Sequence, residues 1–252
     1  LFNYVRIINV RGREMNNVNI KNKFKPTILF IVLFLLMLIF PYIPLEIFRI
    51  DLDKLSFNYK VLYNFMCDIG FMIILFMIYK NELIIKFKEY FKNFMENINT
   101  TFKYYLIGFL VMIISNIVIV LFFKNASANN EETVRTLIDK APLYMIFSVS
   151  IYAPFVEEII FRKGIKDSVM AFSNNKFTKY LFILISGILF GSMHVIGSVT
   201  SVYDYLYIIP YSALGISFAA LLYKTDNIFS TITIHSIHNT ASIILYFMGG
   251  II

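Results

Sequence analysis

Two adjacent carboxylates, Glu157 and Glu158, stand inside an apolar stretch, and Arg162 follows Glu158 by four residues. Further on, in later apolar stretches, come His194 and the pair His235 and Asn239. An ionisable group in hydrocarbon is costly, so its presence there points to function. Carboxylate and imidazole together are the common parts of acid–base catalysis. The spacing divides the work between them. On a helix, Glu158 and Arg162 share a face and can pair, while Glu157 points about 100° away. One carboxylate is thus expected to be neutralised structurally and the other left free as a general base. His235 and Asn239 also share a face and can donate to one atom, as stabilising a developing oxyanion requires. Each feature has a plainer explanation beside it. Glu158 and Arg162 equally read as a buried ion pair that fixes helix packing, and His194 as a side chain bonded to a neighbouring helix.

Other chemistries fit the residues less well. His235 and His238 lie at i and i+3, but neither metalloprotease pattern, His-Glu-x-x-His nor His-x-x-Glu-His, occurs. A divalent metal held by Glu157, His194 and His235 is a secondary alternative, and no cofactor is expected. Ser192 and Ser236 lack the Gly-x-Ser-x-Gly setting of a nucleophilic serine. With one cysteine, Cys67, the chain has no internal disulfide and no paired-cysteine metal site.

The elements that must position these groups are membrane helices. The 252 residues are 58% hydrophobic and only 15% charged, with a mean hydropathy of +0.70. Seven apolar segments are read at 27–48, 61–79, 104–123, 142–162, 180–200, 206–223 and 228–248. The expected fold is all-α: a polytopic membrane bundle of about seven transmembrane helices plus one interfacial amphipathic helix over 80–103, where apolar residues recur at helical spacing among lysines. Three parts are expected: an N-terminal cytoplasmic arm over 1–26, transmembrane helices over 27–141, and a core over 142–252 that carries the chemistry.

Lysine and arginine concentrate in the arm, in 80–103 and in 162–179, which puts these and the N-terminus in the cytoplasm and the 124–141 loop outside. The net charge of +7 is accounted for this way, and no nucleic-acid partner is expected. If the fourth helix continues to about Phe172, with a turn at Ser173-Asn174-Asn175, Glu158 and His194 reach similar heights, about 6 Å apart. Gly187 and Gly191 form a Gly-x-x-x-Gly face, expected to bring His194 close to the fourth segment. The bias toward Asn, Ile, Lys and Phe points to an AT-rich bacterial genome. Arg11-Gly12-Arg13-Glu14 before Met15 has the look of a translated ribosome-binding site, so Met15 is the expected start and residues 1–14 are expected not to be translated.

Glu-Glu-x-x-x-Arg, Phe-x-x-x-His and His-x-x-x-Asn, in this order on separate membrane helices, resemble the CPBP intramembrane protease family. It includes type II CAAX prenyl endopeptidases and bacterial relatives linked to bacteriocin self-immunity. The resemblance covers about 142–247, and Pro154, Phe155 and Gly164 extend its first motif. It implies that Glu157 and His194 activate a water, that His235 and Asn239 hold the oxyanion, and that Glu158 and Arg162 brace the site, with no required metal. His238 matches no motif position. The implied activity is hydrolysis of a peptide bond near the cytoplasmic face of the cell membrane, on a membrane-associated peptide or protein. A non-catalytic immunity or scaffold protein of the same fold is the alternative. A proton-coupled transporter is a second alternative, weakened by the lack of an internal repeat. Oligomeric state is not legible.

Overall fold

The computed structural model describes residues 22–123 and 128–249. Most of the N-terminal arm, with the expected start at Met15, lies outside the described residues. The described residues are helical and contain no strand. Helix α1 spans Asn22–Phe48, with a tighter turn at Phe40–Tyr42 where Pro41 lacks a donor. Helices α2 (Phe57–Lys92) and α3 (Phe94–Phe122) follow. The short α4 (Asn129–Lys140) leads into α5 (Pro142–Met170). The chain closes with α6 (Lys176–Val195), α7 (Ile208–Thr225) and α8 (Ile228–Phe247).

Among the described residues, six helices are long and apolar enough to cross a membrane: α1, α2, α3, α5, α6 and α7. Helix α8 has the length, 20 residues, but carries two histidines, an asparagine and several hydroxyl side chains. The protein is therefore an all-α, multi-pass membrane bundle. In their most apolar windows α1, α2 and α3 are 6%, 22% and 11% buried, against 39%, 39% and 50% for α5, α6 and α7. The first three helices thus present most of their apolar surface to lipid, and α5 to α7 form the centre.

The segment 80–103 takes a different form from the separate interfacial helix expected of it. Its first half continues α2 without a break, and its second half opens α3. No glycine or proline interrupts α2 after Gly70, so nothing stops the helix before Asn93. There the backbone leaves helical geometry, and the Asn97 side chain donates to the Tyr90 carbonyl at 3.0 Å, satisfying an end-of-helix acceptor.

Helix α5 runs on past Arg162 to Met170, close to the expected Phe172. The turn ends at Asn175, which caps α6: its side chain accepts from the Thr178 N–H at 3.0 Å, and its own N–H donates to Thr178 Oγ1 at 3.0 Å.

The Gly187 and Gly191 face packs against α7 rather than α5. A Cβ at Gly187 would lie 2.6 Å from the Ile216 nitrogen, and one at Gly191 would lie 2.7 Å from the Ser212 nitrogen. From α7, Gly215 returns the approach, with a Cβ there 2.8 Å from the Gly187 carbonyl. A neighbouring face of α6 meets α5, where Ser186 Oγ donates to the Phe161 carbonyl at 2.5 Å. Because backbone rather than flexible side chain opposes Gly187, Gly187→Ala should force the helices apart. A loss of about 1–3 kcal/mol is expected, read as a lower thermal midpoint in detergent.

At one end of the bundle charged residues tie four helices. Lys163 of α5 reaches Glu82 of α2 and Asp167, both at 2.7 Å. Asp226, between α7 and α8, meets Lys86 of α2 at 3.0 Å and Lys166 of α5 at 2.5 Å. Asn227 caps α8 and donates to the Lys86 carbonyl at 2.8 Å. Burial raises the Asp226 carboxyl, but its bonds to Lys166 and Lys86 outweigh this and hold it below its ordinary value. Its stabilising contribution is therefore complete above an ordinary aspartate pKa of about 3.9 and is lost as pH falls through the lower folded value. The side chain is 69% exposed, so the contribution is small, about 1 kcal/mol at most. Asp226→Asn, which tolerates the positive φ of 49° here, should lower the thermal midpoint at neutral pH. The gap from the parent should close only below about pH 4, as midpoints measured from pH 8 downward will show.

Candidate active site

Glu157 and Glu158 sit in the middle of α5, which has two wider helical turns, Ser148–Tyr152 and Glu158–Gly164, in which bonds run from residue i to i+5; Glu157 lies just before the second and Glu158 opens it. Such turns favour functional sites because they redirect side chains within a continuous helix. The first has a legible cause. The Ala153 N–H bonds back to the Ser148 carbonyl. The next donor in this pattern belongs to Pro154, which has none, so the Val149 carbonyl loses its helical partner. Asn239 of α8 supplies one, its Nδ2 donating to Val149 O at 2.8 Å. The proline before the glutamates thus docks the Asn239 helix onto α5.

The expected pair forms, with Arg162 Nε 3.2 Å from Glu158 Oε2 and both side chains fully buried. Glu158 has a second partner that its spacing did not reveal: His235 Nδ1 lies 2.8 Å from Glu158 Oε1. His235 Nε2, on the other side of the ring, lies 3.8 Å from Glu157 Oε2. The order Arg162, Glu158, His235, Glu157 is therefore a continuous chain of charge contacts. A carboxylate only accepts, so His235 Nδ1 carries a proton toward Glu158, and Nε2 is the ring nitrogen that faces Glu157.

His194 comes less close. Its Nδ1 meets the Phe190 carbonyl at 2.9 Å, which leaves Nε2 as the free ring nitrogen. Phe190 joins it to the rest: its ring centroid is 4.4 Å from that of His194, 5.7 Å from that of His235, and 3.9 Å from the Arg162 guanidinium carbon. A cation over an aromatic face is attracted by the ring's electron density, so Phe190 helps hold the buried guanidinium. On its far side His194 stacks on Tyr211 at 4.8 Å. His238 points elsewhere, to Tyr105 of α3 at 3.1 Å. Asp68 of α2 accepts from Tyr144 of α5 at 3.1 Å, tying an N-terminal helix to the core. Among the described residues no three His, Cys, Asp or Glu side chains converge as metal ligands would.

The structure thus brings Glu157, Glu158, Arg162 and His235 together, sets Asn239 one helical turn further along α8, and places His194 beyond Phe190. Phe190 is the first residue of the Phe-x-x-x-His motif, but nothing in the sequence assigned it a role; the structure makes it the shared wall between His194, His235 and Arg162.

Residues 139–241, which hold all of these groups, match the model of the Rce1-like type II CAAX prenyl endopeptidases. The chain is also 33% identical over 118 residues to "Putative membrane peptidase YdiL" of Bacillus subtilis (strain 168), a match covering 47% of this chain. Both matches support a likeness of this segment to the CPBP family. The chain spans 43% of the YdiL relative, and no solved structure matches it. Within the matched segment, all three sequence motifs fall on the helices just described: the first on α5, the second on α6 and the third on α8.

Proposed function

We propose that the protein is an intramembrane endopeptidase that hydrolyses a peptide bond with water activated by Glu157. The observation that carries this reading is the contact chain Arg162, Glu158, His235, Glu157. Two carboxylates against one guanidinium leave a single negative charge in a buried place, and one further proton on His235 neutralises it. That proton sits on Nε2, because Nδ1 already serves Glu158. In this state Glu157 is a free base and His235 Nε2–H a donor.

A water beside Glu157 gives it a proton as the water oxygen attacks the peptide carbonyl carbon. A C–O bond forms, and the carbonyl π pair moves onto oxygen. His235 Nε2–H and the second N–H of Asn239, the first being given to Val149, donate to that oxyanion. Collapse restores the carbonyl and breaks the C–N bond, and the proton held by Glu157 passes to the leaving amine. His194 Nε2 accepts a hydrogen bond from the attacking water and aims its lone pair. Glu158 and Arg162 touch no reacting atom and act as positioning residues through His235. The substrate class is a membrane-associated peptide or protein, and no step requires a metal.

Purified protein incubated with its host's membrane peptides in heavy-oxygen water tests this. One heavy oxygen is expected in each new C-terminal carboxyl, with a free amine on the partner fragment. Intact peptides, or products joined to another amine without label, would overturn hydrolysis.

A further inference from the structure

The direction from which the site is reached follows from where its sealed and open ends lie. Glu158 and Arg162 are fully buried, the His235 side chain is 5% exposed, and that of Glu157 is 22% exposed. His194 and Asn239 are partly exposed as well. Accessibility thus rises from Arg162 toward His194. Beyond Arg162 the chain continues into the layer of Lys163, Glu82, Lys166 and Asp226, so ion pairs and packed core close that end.

His194 lies at the other end. It is the penultimate residue of α6, 18 residues after Lys176, which is about 27 Å along the helix. A narrow pocket opens beside it, lined by Asn129 and Asn130 of α4, by Ser198 and Asp204 from the α6 to α7 connection, and by Tyr211. Helix α4 is fastened across this opening. Asn129 donates to the Ser198 carbonyl at 2.9 Å and to Asp204 at 3.0 Å. Tyr211, stacked on His194, donates to Glu131 at 3.3 Å. Everything that lines the pocket belongs to the end of the bundle opposite the lysine-rich layer.

Lysines and arginines mark the cytoplasmic end of a membrane protein. Glu82, Lys86, Lys163, Lys166 and Asp226 lie at one end, the α4 mouth at the other. We propose that the peptide substrate reaches Glu157 from the extracytoplasmic face, at the end of the bundle where the start of α4 crosses the α6 to α7 connection. This differs from the cytoplasmic-face cleavage expected from sequence. The occupant is an extended peptide segment presented at the outer surface, with Asn130, Glu131 and Tyr211 its first contacts. The substrate in this proposal rests on the endopeptidase reading, but the direction of access does not.

The test uses full-length protein in intact cells, with buried Cys67 replaced by serine and single cysteines introduced as Ser198→Cys, His194→Cys and Asn174→Cys. Asn174 lies in the exposed turn between α5 and α6, at the lysine-rich end. A small, charged, membrane-impermeant methanethiosulfonate is added from outside. Cysteines at 198 and 194 are expected to react in intact cells, and the one at 174 only after the membrane is opened. The reverse pattern, or reaction at 194 only from the cytoplasmic side, overturns the proposal. Ser198→Cys carries the topology if His194→Cys fails to fold. Labelling needs no catalysis, so failure of the protease reading would show separately, as uncut peptide with the labelling pattern intact.

Discussion

Glu157→Gln is expected to cut peptide hydrolysis by about 10²–10⁴-fold, the range a general base contributes, while the protein folds and assembles normally. Glutamine keeps the volume and one acceptor oxygen, so the packing of α5 against α8 survives. What disappears is the group that takes the proton from water. The His235 contact at 3.8 Å is too long to be a strong hydrogen bond, so its loss costs little stability. His194→Ala should also lower the rate, but less, because an aimed water is lost while the base remains. The measurement is kcat for wild type and both variants, with thermal midpoints recorded in parallel. Equal kcat for Glu157→Gln and wild type would remove Glu157 from the chemistry.

Glu158→Ala and Arg162→Ala are expected to act mainly on the fold. Each side chain is fully buried and 3.2 Å from its partner. Removing one partner strands the other charge away from water, at a cost of about 3–5 kcal/mol. Arg162→Ala also takes the cation from the face of Phe190, and Arg162→Lys does not restore the planar group that stacks there. The double replacement Glu158→Gln with Arg162→Met removes both charges together and should recover much of the stability of either single variant. It should not recover activity, because His235 then lacks the carboxylate that fixes its Nδ1 proton. Thermal unfolding in detergent reads the first effect and peptide cleavage the second. A double variant as unstable as the singles would show that packing, not charge pairing, dominates there.

The parts of this arrangement that were legible in the sequence are those governed by local helix geometry. The i, i+4 spacing foretold the Glu158 and Arg162 pair, and the turn residues at 173–175 foretold how far α5 runs past it. Hydropathy gave the membrane class and the long helices apart from 80–103, but not the polar helix α4, whose residues read as part of the 124–141 loop. What stayed hidden depends on contacts between helices distant in sequence. That His235 turns one ring nitrogen to Glu158 and the other to Glu157 requires α8 to dock at one register on α5. That register is set where the Val149 carbonyl is left without its helical donor, and Pro154 was its one local sign. The glycine face of α6 announced close packing but not its partner, since any smooth helix face fits it equally. The break at Asn93 likewise depends on a single residue inside a long helical pattern.

The most direct measurement of the central claim is a survey of peptide termini in proteoliposomes holding the host's membrane proteins with either wild-type protein or Glu157→Gln. New termini are expected with wild type that are absent with the variant, although both proteins are folded and equally abundant. The same termini with both proteins, or none with wild type, would contradict the claim.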